Sequence, residues 1–137
     1  MKDLMKSNIY DTAQEIIIVG SCLKNMQPLA YKKLVELNLP IYDLCLEHTH
    51  INMAITKLLG MIRAKNITSV IFVSVDKSPH CVQLHYIQDE ILKLGFKINF
   101  KNYIAVDNTL IELNKETISL SKNLATLQNY ISSKKQN

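Results

Sequence analysis

The chain has 137 residues, 47% of them apolar and 20% charged, which is enough for one domain with a hydrophobic core and too few for two. Its formal net charge of +4 comes almost wholly from lysine, since Arg63 is the only arginine, and this disfavours a sequence-specific nucleic-acid reader. No apolar run approaches the ~20 residues that a membrane span needs, and Met1–Lys6 lacks the apolar core of a secretory signal. We therefore expect a cytoplasmic protein without a membrane span or a specific nucleic-acid partner.

The first half of the chain alternates predicted strands and helices. Residues 1–14 are polar, lack a clean period and are expected to form an N-terminal arm, either loose or as a short helix. Glu15–Gly20 is a β-branched run that ends in glycine, which is typical of a strand buried on both faces. A helix capped by Asn25, with Pro28 in its first turn, is predicted next. The second strand is expected over Ile41–Glu47.

The second half continues this alternation and then adds a hairpin. The predicted segments are a helix from Ile51 to Asn66, a strand over Val70–Ser74, a helix from Ser78 to Gly95, two hairpin strands over Ile98–Val106 and Leu110–Leu113, and a helix from Asn114 to Ile131. In the last helix, the residues spaced as a buried face are Leu120, Leu124, Leu127 and Ile131. The tail, residues 132–137, is expected to fray.

This order of elements predicts a single α/β domain over residues 15–131. We expect a three-layer, Rossmann-like fold in which helices cover both faces of a mostly parallel sheet. The hairpin is expected to place an antiparallel strand at one edge of that sheet. No internal repeat or linker is visible in the sequence.

The strongest chemical signal follows the third predicted strand. Ser78 and Pro79 suit the N-cap and the first position of a helix, which places Cys81 in its first turn. Cys81 and His85 are four residues apart and would share one helix face. A thiol near a helix N-terminus has a lowered pKa, which makes it a better nucleophile and a better metal ligand. Both residues fall off the inner stripe, so replacing either with alanine is expected to cost little stability.

The cysteines and histidines fall where the predicted strands end, which is where open α/β sheets bind ligands. The six residues at this rim, all candidate metal ligands, are Cys22, His48, His50, His80, Cys81 and His85. Cys22, Cys81 and His85 are also candidate catalytic residues. Cys45 is predicted to lie inside the second strand as a core residue. An odd number of cysteines argues against a disulfide scaffold and leaves thiol or metal chemistry open.

The first hypothesis for this rim is a metal-binding or redox-linked site. Thiolate and imidazole ligands suit zinc, iron or an iron–sulfur cluster. The chain has no Cys-x-x-Cys pair, and three cysteines cannot hold an all-cysteine cluster. A cluster would therefore need histidine ligands or a partner chain, so a redox or iron–sulfur partner protein is expected. The oligomeric state is left open, a homo-oligomer included.

Two other hypotheses remain. A thiol enzyme would use Cys22 or Cys81 as nucleophile and a histidine as base, acting on a small anion bound at helix N-termini. Ser21, Lys77 and Ser78 would then contact the substrate or cofactor. A non-catalytic module would instead bind a nucleotide or a partner protein. The sequence has no Gly-x-Gly-x-x-Gly loop, the motif that would favour nucleotide binding.

The run from Val70 to Tyr86 resembles the end of the small iron–sulfur (delta) subunits of methyl-viologen-reducing hydrogenases. In that family a strand leads into a turn that contains Cys and Gly and finishes Cys-His-Tyr. This chain has Ser78-Pro79-His80-Cys81 after its strand, with His85-Tyr86 after three intervening residues, and it lacks the family's glycines and most of its cysteines. The resemblance covers about a tenth of the chain and implies a redox-accessory role.

Overall fold

The computed structural model describes residues 1–135. Its strands are β1 (Lys2–Asp3), β2 (Glu15–Gly20), β3 (Ile41–Leu44), β4 (Ser69–Val75), β5 (Asn99–Val106) and β6 (Thr109–Glu112). Its α-helices are α1 (Leu23–Met26), α2 (Pro28–Val35), α3 (Ile51–Lys65), α4 (Ile87–Lys93), α5 (Lys115–Lys122) and α6 (Leu124–Lys135), and two 3₁₀ helices span Leu4–Lys6 and Cys81–Tyr86. Within residues 1–135, no helix is both long and apolar enough to cross a membrane.

The strands form one sheet in the order β1-β3-β2-β4-β5-β6. Neighbouring strands are parallel except β5 and β6, which form an antiparallel hairpin. The tight hairpin turn places Asp107 and Asn108 at positive φ, which these two residue types tolerate well. The predicted α/β class, the mostly parallel sheet and the antiparallel edge are therefore confirmed.

The centre of the core is β2. Its four consecutive residues Ile16–Val19 are all fully buried. Successive strand residues point to opposite faces, so both faces of the sheet must be covered, as in a three-layer fold. Beside it, Phe72 of β4 stacks on Phe100 of β5 with ring centroids 5.7 Å apart. The β-branched runs that predicted these strands are thus the most buried part of the chain.

The N-terminal residues are part of the domain and do not form the separate arm predicted for residues 1–14. Lys2 and Asp3 pair with β3 as the edge strand β1, and Leu4 is buried against the core. The hydroxyl of Tyr42 also donates a hydrogen bond to the backbone carbonyl of Asp11, at 3.1 Å. Burial of Leu4 and these backbone pairings explain why a polar segment without a clean period is ordered.

The C-terminal helix differs from its prediction in length and in burial. The segment forms two helices, α5 and α6. Residues 132–135 of the predicted tail continue α6, and residues 136–137 lie outside the described residues. None of the residues of α6 is buried, and Leu124 is 74% exposed. The prediction that this stripe faces inward is therefore wrong, because no other element covers it within the described chain.

Candidate functional site

The sheet order creates a crevice at the carboxyl end of β2. The chain passes from β2 to β3 on one side and then returns to β4 on the other, so the loops after β2 and β4 diverge. Such a switch point is where open α/β sheets bind ligands. A cavity of about 480 Å³ lies there, lined by Gly20–Cys22 after β2, residues 43–49 around the end of β3, and part of the Ser78–Cys81 segment after β4.

All three cysteines of the chain line this cavity, and all three are free thiols. Cys45 does so because β3 ends at Leu44, three residues earlier than predicted. The chain then turns, and the Cys45 carbonyl accepts hydrogen bonds from the backbone N–H groups of His48 (3.2 Å) and Thr49 (2.9 Å). Cys45 is half-buried at the rim, so its predicted position inside the strand is wrong.

Asp43 is a second residue that the sequence reasoning missed. It lies near the end of β3 and lines the cavity, where its carboxylate accepts a hydrogen bond of 3.0 Å from the Ser21 hydroxyl. Asp43 and Cys45 share one phase of the strand, opposite to the buried Tyr42 and Leu44. A charged residue in that phase, two positions before a cysteine, was the available signal that this face of β3 borders a site.

The thiol of Cys81 is held tightly against the end of the sheet. Its Sγ accepts a hydrogen bond of 3.2 Å from the Val75 backbone N–H. A Cβ on Gly20 would lie only 2.2 Å from the same sulfur, so glycine is required there for the thiol to approach the strand. Cys81 is consequently 6% exposed.

The electrostatic consequence is opposite to the sequence prediction. Burial raises the pKa of Cys81 to about 11, and the neighbouring thiols of Cys22 and Cys45 contribute to the rise, while the Val75 hydrogen bond opposes it. A helix N-terminus was expected to lower this pKa. The expectation is wrong because the segment is a short 3₁₀ helix and its first residue is removed from solvent.

His85 does not share the cavity with Cys81. In a 3₁₀ helix the side chains at i and i+3 eclipse, so residues four apart are rotated by about 120° and face differently. Cys81 therefore aligns with Leu84, and His85 points into the interior, where it is 1% exposed. The predicted Cys81–His85 pair, which assumed an α-helix, is not formed.

A buried hydrogen-bond network holds the neutral imidazole of His85 in one tautomer. Gln88 Nε2 donates to the His85 carbonyl at 2.8 Å, which leaves Gln88 Oε1 to accept from Asn102 Nδ2 at 3.1 Å. Asn102 Oδ1 then faces His85 Nδ1 at 2.9 Å, so Nδ1 carries the proton. Nε2 is left to accept from the Ser74 hydroxyl at 2.6 Å. The neutral imidazole thus satisfies all of these groups.

We expect the protein to lose stability as the pH falls below about 6.5. Burial lowers the pKa of His85 from its ordinary value of 6.5, against a smaller raising effect of the Asn102 hydrogen bond. The unfolded chain therefore takes up a proton first, and stability falls from about pH 6.5 down to the lowered pKa of the folded state. Urea unfolding at about pH 7.5 and at about pH 5.5 measures the loss. A His85→Gln variant should lose less stability between these two pH values than the unmodified protein. An equal loss in both proteins would contradict the assignment of the pH dependence to His85.

The cavity carries negative charge although the chain as a whole is basic. Its lining residues include three acids, Asp3, Asp43 and Glu47. No lysine or arginine of the described chain lines it, and its remaining titratable residues are the cysteines and the exposed histidines His48 and His80. Such a lining favours a cation over a phosphate or carboxylate.

The predicted site residues divide into two groups. Those that line the cavity are Ser21, Cys22, His48, Ser78, His80 and Cys81, and those that do not are His50, Lys77 and His85. His50 is an exposed residue at the start of α3, and Lys77 is exposed in a turn with φ of 68°. Within residues 1–135, no three His, Cys, Asp or Glu side chains already stand as a metal centre. The three thiols line one cavity, but they do not form a metal centre with one another or with a neighbouring histidine or acid among the described residues.

The sheet order and the crevice beside β2 define an α/β protein with a cavity at the topological switch point. A family model described as "Rossmann-like domain" matches residues 10–137, and the chain belongs to this family. Comparison with curated proteins and with solved structures gave no match. The family establishes the fold, while the chemistry must be argued from the cavity itself.

Proposed function

We propose that the cavity binds a thiophilic metal ion or cluster through Cys22, Cys45 and Cys81, in a redox-linked role. The observation that carries this proposal is the convergence of all three cysteines of the chain on one cavity from the ends of three adjacent strands. Thiolates are the ligands that zinc, iron and iron–sulfur clusters prefer. In a reducing cytoplasm, the compartment we expect, the three thiols would stay free to bind such an ion.

The charges in the cavity favour a metal over the anionic substrate of the thiol-enzyme hypothesis. Asp3, Asp43 and Glu47 would stabilise a cation and repel a phosphate. With a pKa of about 11, roughly one Cys81 side chain in ten thousand is a thiolate at pH 7, so this residue is a weak nucleophile unless a cation is present. A bound metal would supply that cation and displace the proton.

The size of the cavity supports a role in partnership with another molecule. Three protein thiols leave a tetrahedral metal with one open position, and about 480 Å³ is far more space than one ion occupies. His48 and His80 also line the cavity and are the available imidazole ligands. An iron–sulfur partner that presents a ligand here would fit the redox-accessory role implied by the hydrogenase delta-subunit resemblance.

Metal-free protein purified without oxygen should bind Co²⁺ with a thiolate-to-cobalt charge-transfer band in the near ultraviolet, and iron under the same conditions. Binding should strengthen as the pH rises, because the thiols must lose protons. Replacing Cys22, Cys45 or Cys81 with serine should in each case weaken the affinity for Co²⁺ by more than about 100-fold. Loss of a residue that only hydrogen-bonds to a metal ligand already costs about 10- to 100-fold in affinity.

The matched control is His50→Ala, which removes an exposed imidazole that does not line the cavity. This variant should bind Co²⁺ as the unmodified protein does. The proposal is wrong if no charge-transfer band forms, or if the three serine variants retain the unmodified affinity. Circular dichroism of each variant would show that the fold is intact before binding is compared.

A further inference from the structure

Two of the cavity cysteines, Cys22 and Cys81, lie beside the end of β2. The Sγ of Cys81 packs directly against Gly20, and the Cβ of Cys81 lies 3.7 Å from where a Gly20 Cβ would stand. Cys22 follows Gly20 by two residues and lines the same cavity as Cys81, and its thiol contributes to the raised pKa of Cys81. Residues 22 and 81, which are 59 positions apart in the sequence, therefore lie on the same cavity beside the end of β2.

The two thiols differ in accessibility. Cys22 is half-buried at the start of α1 and lines the cavity, whereas Cys81 is 6% exposed. A small molecule that enters the cavity would therefore meet Cys22 first. The turn of residues 21–22, which leads into the four-residue helix α1, leaves the Cys22 side chain free of the regular sheet.

We infer that Cys22 and Cys81 form a dithiol that small disulfides oxidise to an intramolecular disulfide. In the first step the Cys22 sulfur, having lost its proton, attacks a disulfide RSSR, forms a Cys22–S–SR bond and releases RSH. In the second step Cys81, a weak nucleophile that reacts here because it is held near Cys22, loses its proton and attacks the Cys22 sulfur. This forms the Cys22–Cys81 bond and releases the second RSH. The protein loses two hydrogen atoms, that is, two protons and two electrons, and RSSR is reduced to two thiols.

This inference goes beyond the proposed metal site and does not require a metal. The same sulfurs cannot bind a metal as thiolates and form a disulfide at once, so each state excludes the other. The acidic lining further indicates which disulfide should enter. A cationic disulfide such as cystamine should react faster than the anionic glutathione disulfide, because Asp3, Asp43 and Glu47 attract the first and repel the second.

The test uses full-length protein treated with EDTA, so that its result is independent of metal binding. Cystamine is added, and the product is followed by intact mass and by peptide mapping without reductant. The expected product has lost two hydrogen atoms and links the Cys22 peptide to the Cys81 peptide. Cys45→Ser should give the same link, whereas Cys81→Ser should stop at a mixed disulfide on Cys22.

Three results would overturn the inference: a link that contains Cys45, a stable mixed disulfide as the end product of the unmodified protein, or no reaction at Cys22. If Cys81→Ser does not fold, the link formed in Cys45→Ser decides the matter alone, since Cys22 and Cys81 are then the only cysteines. A disulfide without cobalt binding would disprove only the metal site, and the reverse result would disprove only the dithiol.

Discussion

Replacing Gly20 with alanine is expected to destabilise the protein by about 1–3 kcal/mol and to weaken cobalt binding strongly. The added Cβ would lie 2.2 Å from Cys81 Sγ, a distance that non-bonded atoms do not tolerate, so the sulfur or the strand must move. Movement of the sulfur breaks the hydrogen bond from the Val75 N–H and shifts the thiol within the cavity. Urea unfolding and Co²⁺ titration measure the two effects.

Gly60→Ala provides the matched control for this substitution. Gly60 lies inside α3, and an added Cβ would meet only the Ile9 side chain, at 3.4 Å. Alanine is the better helix former, so this variant should be unchanged or more stable by up to about 1 kcal/mol. A Gly20→Ala, Cys81→Ala double variant should be more stable than the sum of the stability losses of the two single variants predicts, because the clash between the added Cβ and the sulfur is removed. Simple additivity would show that Gly20 is not required by Cys81.

His85→Ala should cost roughly 3 kcal/mol of stability while the folded protein keeps its affinity for cobalt. The substitution leaves a buried cavity and removes the hydrogen-bond partners of Ser74 and Asn102, both of which are buried. Its side chain does not line the cysteine cavity, so binding should be unaffected. Urea unfolding gives the stability, and cobalt titration at a pH where the variant is folded gives the affinity.

The control for this prediction is again His50→Ala, whose exposed side chain should change stability by less than about 0.5 kcal/mol. A His85→Ala variant that stays stable but loses cobalt would restore His85 as a ligand and contradict the structure. The small stability cost expected from the sequence depended on an α-helical phase that the 3₁₀ helix does not have.

The strands and the position of the cavity could be predicted because both follow from local patterns. The β-branched runs of β2 and β4 are long enough to identify buried strands, and the alternation of elements implies a parallel sheet with a site at its carboxyl end. The details of the site depend on where each element stops. β3 ends at Leu44 rather than Glu47, and this change moves Cys45 from the core to the cavity.

The role of His85 could not be predicted, because it depends on contacts far away in the sequence. Ser74 of β4 and Asn102 of β5 supply the partners that make an interior histidine favourable, and neither is marked by a local pattern. The predicted stripe that ends in α6 is the opposite case, because a local pattern is present but the residues are not buried. Its spacing predicts an inward-facing side, but the residues of the stripe are divided between α5 and α6, and spacing alone does not show whether the same chain covers them.

The contrast between the acidic cavity and the basic chain gives the protein an electrostatic field that changes sign with distance. Far from the surface, a cation meets the net charge of +4 and is repelled, while near the opening it meets three carboxylates. At ~0.1 M ionic strength the screening length is about 10 Å, so the distant repulsion fades and the local attraction survives. Moderate salt should thus quicken the capture of a positively charged ligand, the reverse of ordinary long-range steering.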